Sequence, residues 1–332
     1  MYPASIFFGL VACIGQACSA NSACGGYLDQ ILALNHLQAK GTHNSYHLKP
    51  DSSGVADWNY GHAPLNVQLG EYGVRQFELD ILWQAGDDYF DVMHVPFLDA
   101  NTTCSPLTDC LGIIKDWSDQ QPDHHPLFIM IEPKDEFDEQ VIEEYFSSLE
   151  NKILSIWPLE RLILPADVQG AYPTLRQAVL DKNWPLLADV RGKAMFILLD
   201  SEGFRDYYTY SDSHLDDRII FARASQTTAG YAAIMFKDDP VSQQESIRQA
   251  VADGFMIRTR ADSGSIEAVA NDTTRLEAAL SSGAHFISTD YPALTEEYEY
   301  WVEIPQGNPS RCNPVSAPAE CSASAIEGWA CL

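Results

Sequence analysis

The chain has 332 residues, 46% of them hydrophobic, with 47 acidic against 20 basic side chains, a formal net charge of −27 and a pI near 4.4. That length and apolar content are ample for a sizeable core. The acidity excludes nucleic acid as a partner, because phosphate binding needs a basic footprint, and argues against simple electrostatic docking on anionic lipid. Solubility outside the cell is the plain reading. The sharper one is that an anionic substrate needs help to arrive, and a divalent cation is the expected helper.

Residues 1–20, MYPASIFFGLVACIGQACSA, hold an apolar run from Ile6 to Ile14 followed by small residues. This reads as a secretory signal cut near Ala20, although no Lys or Arg stands at its front. No later run approaches the ~20 apolar residues needed to span a bilayer, so a secreted, extracellular protein with no transmembrane segment is expected, working as a monomer. Cleavage there leaves Cys24, Cys104, Cys110, Cys312, Cys321 and Cys331. An even number in an exported chain predicts disulfides. Cys104 and Cys110 could close a short loop, while the last three could tie down a Pro/Ala/Ser-rich tail. None forms a C-x-x-C pair, which argues against zinc. The expected division is a signal peptide (1–20), one large domain (21–305) and a Cys-containing C-terminal tail (306–332).

Short β-rich runs recur along the rest of the chain. In order they are HLQAKG from His36, VRQFELDIL from Val74, YFDVMHV from Tyr89, PLFIMIEP from Pro126, AMFILLD from Ala194, RIIFARA from Arg218, GFMIRTRA from Gly254 and HFISTDY from His285. Helical patterns lie between them. DEFDEQVIEEYFSSLENKIL opens with acids and repeats apolar residues at helical spacing. PVSQQESIRQAVADG and TTRLEAALSSG both stop at Gly. Leu154 to Pro185 reads as long connections. Alternation of strand and helix implies a parallel sheet, and eight strands over this length predict an α/β fold, an irregular (β/α)8 TIM-type barrel. A doubly wound open sheet is the alternative, but no G-x-G-x-x-G follows the first strand.

In such barrels the chemistry gathers at the C-terminal ends of the strands. His36, His124, His125 and His285 precede or begin strands and are assigned structural roles. The strand ends offer His43 and Asn44 after the first run, Glu78 and Asp80 on the second, His94 on the third, and Glu132 followed by Lys134 on the fourth. Glu78 and Asp80, two apart on a strand, point to the same side. Buried together they need a partner or a metal. With Glu132 and the Asn44 amide oxygen they form an all-oxygen set suited to calcium, with magnesium as second choice. Two histidines beside such a cation form an acid–base pair suited to in-line attack at a phosphodiester, and the bound dication would reverse the local repulsion.

Plainer readings stand beside these. His47 and His62 read as hydrogen-bonded structural residues, and E-x-D is often a salt-bridged pair. Lys134 either contacts phosphate or neutralises a carboxylate. Arg258 and Arg260 either hold a head group or pair with Asp262, and Asp290 reads as a turn cap. Trp58, Tyr60 and Trp83 are the aromatic residues proposed for membrane contact.

The segments GTHNSYH, FELDIL, HVP and IEPKD, in this order, resemble the phosphoinositide-specific phospholipase C superfamily, and most closely its small secreted calcium-dependent branch. The likeness covers Lys40 to about Lys134 well and STDYP more loosely. It implies a phospholipase-C-like phosphodiesterase barrel with one calcium held by Asn44, Glu78, Asp80 and Glu132, and with His43 and His94 as catalytic base and acid, in roles that could be exchanged. It also implies phosphatidylinositol in a membrane surface as substrate, cleaved to diacylglycerol and a cyclic inositol phosphate by the inositol's own hydroxyl. Asp80 and Asn44 favour the metal-dependent branch, because calcium-independent relatives carry Arg at the first position and no Asn at the second. IEPKD and STDYP also resemble glycerophosphodiester phosphodiesterases, which typically have Arg where this chain has Asn44. The remaining alternative is a non-catalytic exported calcium-binding protein.

Overall fold

The computed structural model describes residues 28–50, 55–200, 202–307 and 309–327. The expected signal segment, Cys24 and Cys331 lie outside them. Among the described residues ten strands form: β1 (Leu37–Thr42), β2 (Gln76–Gln84), β3 (Tyr89–Val92), β4 (Leu127–Pro133), β5 (Ala194–Leu198), β6 (Phe221–Ala224), β7 (Ile234–Phe236), β8 (Met256–Arg260), β9 (Phe286–Thr289) and β10 (Ser310–Cys312). Eight of them, β1, β2 and β4 to β9, pair in parallel. The order β1-β9-β8-β7-β6-β5-β4-β2 closes on itself because β1 also pairs with β2. The result is the expected (β/α)8 barrel.

Two staves differ from the expectation. YFDVMHV is not part of the barrel wall. Its Tyr89–Val92 portion runs antiparallel to Ile81–Gln84. At nine residues β2 overshoots the wall, and the chain doubles back on the overhang through a turn in which Asp88 takes φ +49°. Alternation of apolar and polar residues is the same in a hairpin as in a half-buried stave, so the pattern could not separate them. The eighth stave is β7, three residues long and buried throughout, too short to show any period.

The seam between β1 and β2 is narrow, with Gly41 opposite Gln76 as its one paired position. The Gln76 side chain fills the space beside Gly41, where a β-carbon would come within 2.0 Å of Gln76 Oε1. Inside the barrel the register sorts side chains by height. Gln76 is level with Phe128, Glu78 with Met130 and Asp80 with Glu132. Phe128 and Phe286 meet at 4.5 Å between ring centroids, so the lower barrel is apolar and the carboxylates stand above it. The outward residues Phe77, Leu79 and Ile81 are fully buried under the surrounding helices, as their alternation with Glu78 and Asp80 requires.

The acidic helical pattern folds as Ile142–Ile156, later than its first acids suggest, which leaves Phe137 and Val141 exposed. The expected long connection contains short helices at Pro165–Gln169 and Leu175–Leu180. The two Gly-stopped patterns are helices Gln244–Ala252 and Thr274–Ser282, the latter ended by Gly283 at φ +84°.

The tail lies against the base of the barrel. β10 pairs antiparallel with β1, and a disulfide joins Cys312 to Cys321. Glu327 Oε1 lies 2.7 Å from Arg75 Nε and 3.0 Å from His125 Nε2. A second disulfide, Cys104–Cys110, closes the short loop anticipated from spacing. The four histidines assigned to the base are engaged there. His285, for instance, is fully buried between the Asn35 carbonyl and the Ile257 N–H.

Candidate active site and metal centre

The segment after β1 is stitched onto β2. The Ser45 N–H donates to the Glu78 carbonyl at 2.9 Å, and the Ser45 hydroxyl accepts from the Glu78 N–H at 2.8 Å. Between them Asn44 turns through φ +43°, a left-handed conformation that Asn tolerates better than most residues. Asn44 is buried in this turn, one residue before the Ser45 that is bonded to Glu78.

Glu78, Asp80 and Glu132 each offer an oxygen, all within 4.8 Å of one another. Asp80 is fully buried and Glu78 nearly so. Burial, reinforced by Glu132, pushes the Glu78 carboxyl up to about 7 even though Arg258 opposes the shift. Burial also holds Asp80 well above the usual carboxylate range, with Glu132 and Glu78 adding to it. The Lys134 ammonium stands 3.0 Å from Asp80 Oδ2 and 2.8 Å from Glu132 Oε1. Apart from that ion pair neither Asp80 oxygen has a hydrogen-bond partner among the described residues. Buried acceptors left in this state cost about 1–3 kcal/mol or more each. Clustered oxygen-only donors, with Asp80 oxygens lacking hydrogen bonds, fit a hard dication.

His43 stands at the top of β1 with its Nδ1 2.8 Å from Asp290 Oδ1 and its Nε2 3.8 Å from Glu78 Oε1. The Tyr60 hydroxyl is 3.2 Å from the same Nδ1, and His62 Nε2 donates to the His43 carbonyl at 2.9 Å. Asp290 is itself held by Arg260 at 2.6 Å and by its own N–H donating to Asp262 at 2.8 Å. Burial first, then Arg260 and Arg258, push the His43 imidazole down to about 3 against the opposing pull of Asp290. His43 is therefore neutral at physiological pH. With Nδ1–H committed to Asp290, its Nε2 lone pair faces the carboxylate side.

Arg258 and Arg260 are engaged in ion pairs. Arg258 bridges Glu78 at 2.7 Å and Asp238 at 2.6 Å. Arg260 takes Asp290 as its close partner, with Asp262 at 3.8 Å. Asp290, read from sequence as a turn cap, is instead the hinge between His43 and Arg260.

His94 reaches the mouth by a route the sequence reading did not foresee. It follows a strand that runs down rather than up, and the Met93 N–H donates to the Asp80 carbonyl at 3.3 Å. Between His43 and His94 stand Tyr60 and His47, with successive ring centroids 6.1, 4.5 and 6.4 Å apart. His94 Nδ1 lies 2.8 Å from Asp99 Oδ2. Of the aromatic residues proposed for membrane contact, Tyr60 is buried against His43, Trp83 packs on Phe90 and Tyr145, and Trp58 stands edge-on to His94. Phe97 and Leu98, three and four residues after His94, are exposed apolar side chains. Asp99, and the parts played by Tyr60 and Asp290, escaped sequence reasoning. Each is a common residue in a loop, tied to its partner across 5 to 247 positions of chain.

A family model described as phosphoinositide phospholipase C, Ca2+-dependent, matches residues 32–91 and 84–314. Among solved structures, a calcium-dependent phosphoinositol-specific phospholipase C from Pseudomonas sp. superposes with a TM-score of 0.60 at 17% identity, over 90% of this chain and 100% of its own. A calcium-dependent phosphatidylinositol-specific enzyme from Streptomyces antibioticus gives 0.56 at 17% identity, over 78% and 95%. The phosphatidylinositol-specific enzyme from Listeria monocytogenes gives 0.51 at 12% identity, over 82% and 94%. These likenesses are of fold. Comparison with curated proteins finds no match. With the family model spanning most of the barrel, the chain belongs to the calcium-dependent phosphoinositide phospholipase C family of enzymes.

Proposed function

We propose that this enzyme cleaves phosphatidylinositol to diacylglycerol and a cyclic inositol phosphate, with calcium held by Asn44, Glu78, Asp80 and Glu132. The observation that carries the reading is the adjacency of a neutral, Asp290-oriented His43 to a cluster of three carboxylates that have Lys134 and Arg258 for partners, Arg258 being shared with Asp238. When bound, the dication supplies charge neutralisation at the phosphate oxygens and at the attacking hydroxyl. Glu78, Asp80 and Glu132 hold it, and their negative charge then no longer repels the substrate.

His43 Nε2 takes the proton from the inositol hydroxyl that attacks phosphorus. Asp290 keeps the other ring nitrogen protonated and stabilises the imidazolium that forms, while Arg260 keeps Asp290 ionised. His94 delivers a proton from Nε2 to the departing glycerol oxygen. Such acid–base steps contribute typically ~10²–10⁴-fold each. Lys134 and Arg258 line the mouth and exchange carboxylate contacts for phosphate contacts as substrate and cation enter, while Arg260 stays on Asp290. Two disulfides support an oxidising, extracellular setting; among the described residues no helix is long and apolar enough to cross a membrane. The protein acts as a monomer that visits the lipid surface.

The test is a substrate panel, intact phosphatidylinositol beside glycerophosphoinositol, with calcium or chelator. Calcium-dependent release of diacylglycerol supports the reading. Turnover of the soluble head group alone, or turnover untouched by chelation, refutes it.

A further inference from the structure

We propose that Asp99 is the positioning residue of the proton donor, and that His47, the second histidine of GTHNSYH, exists to hold Asp99 in place. The inference rests on the assignment of His94 as acid. Asp99 is 1% exposed, yet three contacts converge on its carboxylate. His94 Nδ1 approaches Oδ2 at 2.8 Å, and His47 Nε2 lies 2.9 Å from Oδ1 and 3.0 Å from Oδ2. A buried carboxylate is retained only where it is hydrogen-bonded on all sides, and here both flanking groups are imidazoles. His47 is itself buried, and burial lowers its pKa against the pull of Asp99. It is therefore a neutral ring with Nε2–H spent on Asp99, and its Nδ1 has no partner among the described residues.

The backbone makes this arrangement stiff. Val95 and Asp99 exchange N–H to carbonyl bonds at 3.0 and 2.9 Å, which closes a tight turn between His94 and its carboxylate. The His47 N–H donates to the Asn44 carbonyl, and the His47 carbonyl accepts from the His62 N–H, both at 2.8 Å. His47 is thus anchored in the loop after β1, which bridges to the next loop at Thr102, and from there it pins the turn that carries Asp99.

The chemical consequence is directional. With Nδ1–H donated to Asp99, the other nitrogen, Nε2, points away and carries the transferable proton. The negative charge beside the ring stabilises the imidazolium that must exist before the proton is given. After transfer the ring returns to the neutral form with hydrogen on Nδ1, so the carboxylate itself neither gains nor loses a proton. The leaving oxygen gains the one proton that Nε2 loses. Asp99 thus does for the acid what Asp290 does for the base, and two carboxylates set the two tautomers independently.

The experiment compares Asp99→Asn, His94→Ala and the double variant in calcium-loaded enzyme on two substrates. One is phosphatidylinositol, whose leaving alkoxide needs a proton. The other is a nitrophenyl inositol phosphate, whose leaving group does not. Loss of a general acid costs typically ~10²–10⁴-fold. The expected result is a kcat loss in that range on the lipid for both single variants, less than about tenfold on the aryl ester, and no further loss in the double variant, as for residues acting as one unit. Equal loss of Asp99→Asn on both substrates, while His94→Ala remains selective, overturns the role of Asp99 alone. If His94→Ala is itself unselective, the acid assignment falls and this proposal with it. Nitrogen NMR of the wild-type protein adds a check that needs no variant. In its neutral form, reached at the alkaline end of a pH series, His94 is expected as the Nδ1–H tautomer, and an Nε2–H tautomer there overturns the pairing.

Discussion

Calcium should stabilise this protein against heat, and the increment should depend on pH through Glu78. Binding to the folded state alone contributes about 2.7 kcal/mol at a hundredfold excess over Kd. For a chain of 332 residues that corresponds to a rise in Tm of roughly 4 °C. The pH dependence follows from the carboxyl whose pKa burial and Glu132 raise from 4.5 to about 7. Between those values the folded, calcium-free protein keeps a proton that the unfolded chain has lost. Its stability from this group is therefore full below about 4.5 and is lost as pH climbs to about 7, by on the order of 3 kcal/mol for a shift of that size. Calcium must displace that proton, so its apparent affinity should rise about tenfold per pH unit up to about 7 and then level off. Melts in chelator and in calcium at pH 6 and pH 8 measure both effects, with Glu78→Gln as the control that flattens the pH slope, Asp80 keeping its own share. Identical melting temperatures with and without calcium at pH 8 would refute a cation at these carboxylates. A Glu78→Gln protein keeping the full increment and slope would refute the role given to Glu78.

Three further expectations follow from single contacts. Asp290→Asn removes the charge between His43 and Arg260. Breaking a buried pair costs about 3–5 kcal/mol, and kcat should fall by ~10²-fold or more; a loss under tenfold at saturating substrate would show that His43 does not depend on Asp290. Lys134→Met removes a cation 3.0 Å from Asp80. Calcium affinity by calorimetry should rise about tenfold once a side chain 23% exposed is discounted for screening, and a weaker affinity would contradict the competition. His285 has both ring nitrogens committed, and burial lowers its pKa to about 4. Because the unfolded chain takes a proton below about 6.5 and the fold does not, stability should fall as pH drops from 6.5 towards 4, by ~2 kcal/mol at pH 5. Denaturant titrations of His285→Gln should show a flatter acid limb, and an unchanged slope would rule this out.

The barrel was legible because its longer staves carry strong local patterns, such as FELDIL with its outward Phe77, Leu79 and Ile81. What failed was direction. Nothing local in YFDVMHV says whether it continues the wall or doubles back, yet His94 lies at the mouth in either case, since the hairpin returns it to the level of Asp80. β7 was invisible because three residues show no period. The carboxylate set could be read because Glu78 and Asp80 share one strand. Asp99 and Asp290 could not, because a lone acid in a loop looks like a cap until the fold brings an imidazole to it. Arg258 and Arg260 stood out at the end of their strand, but their partners Asp238 and Asp290 stand on other loops.

The one-position seam beneath His43 changes how the letters of GTHNS should be understood. Gly41 is there because Gln76 leaves no room for a methyl group, and Thr42 and Ser45 because their hydroxyls, 2.7 Å apart, lace the turn together. Most of that short signature is thus joinery, and of its five residues His43 is the one that keeps part of its side chain open at the mouth. A distant chain that closes the same gap with different carpentry could keep the chemistry while losing the recognisable spelling.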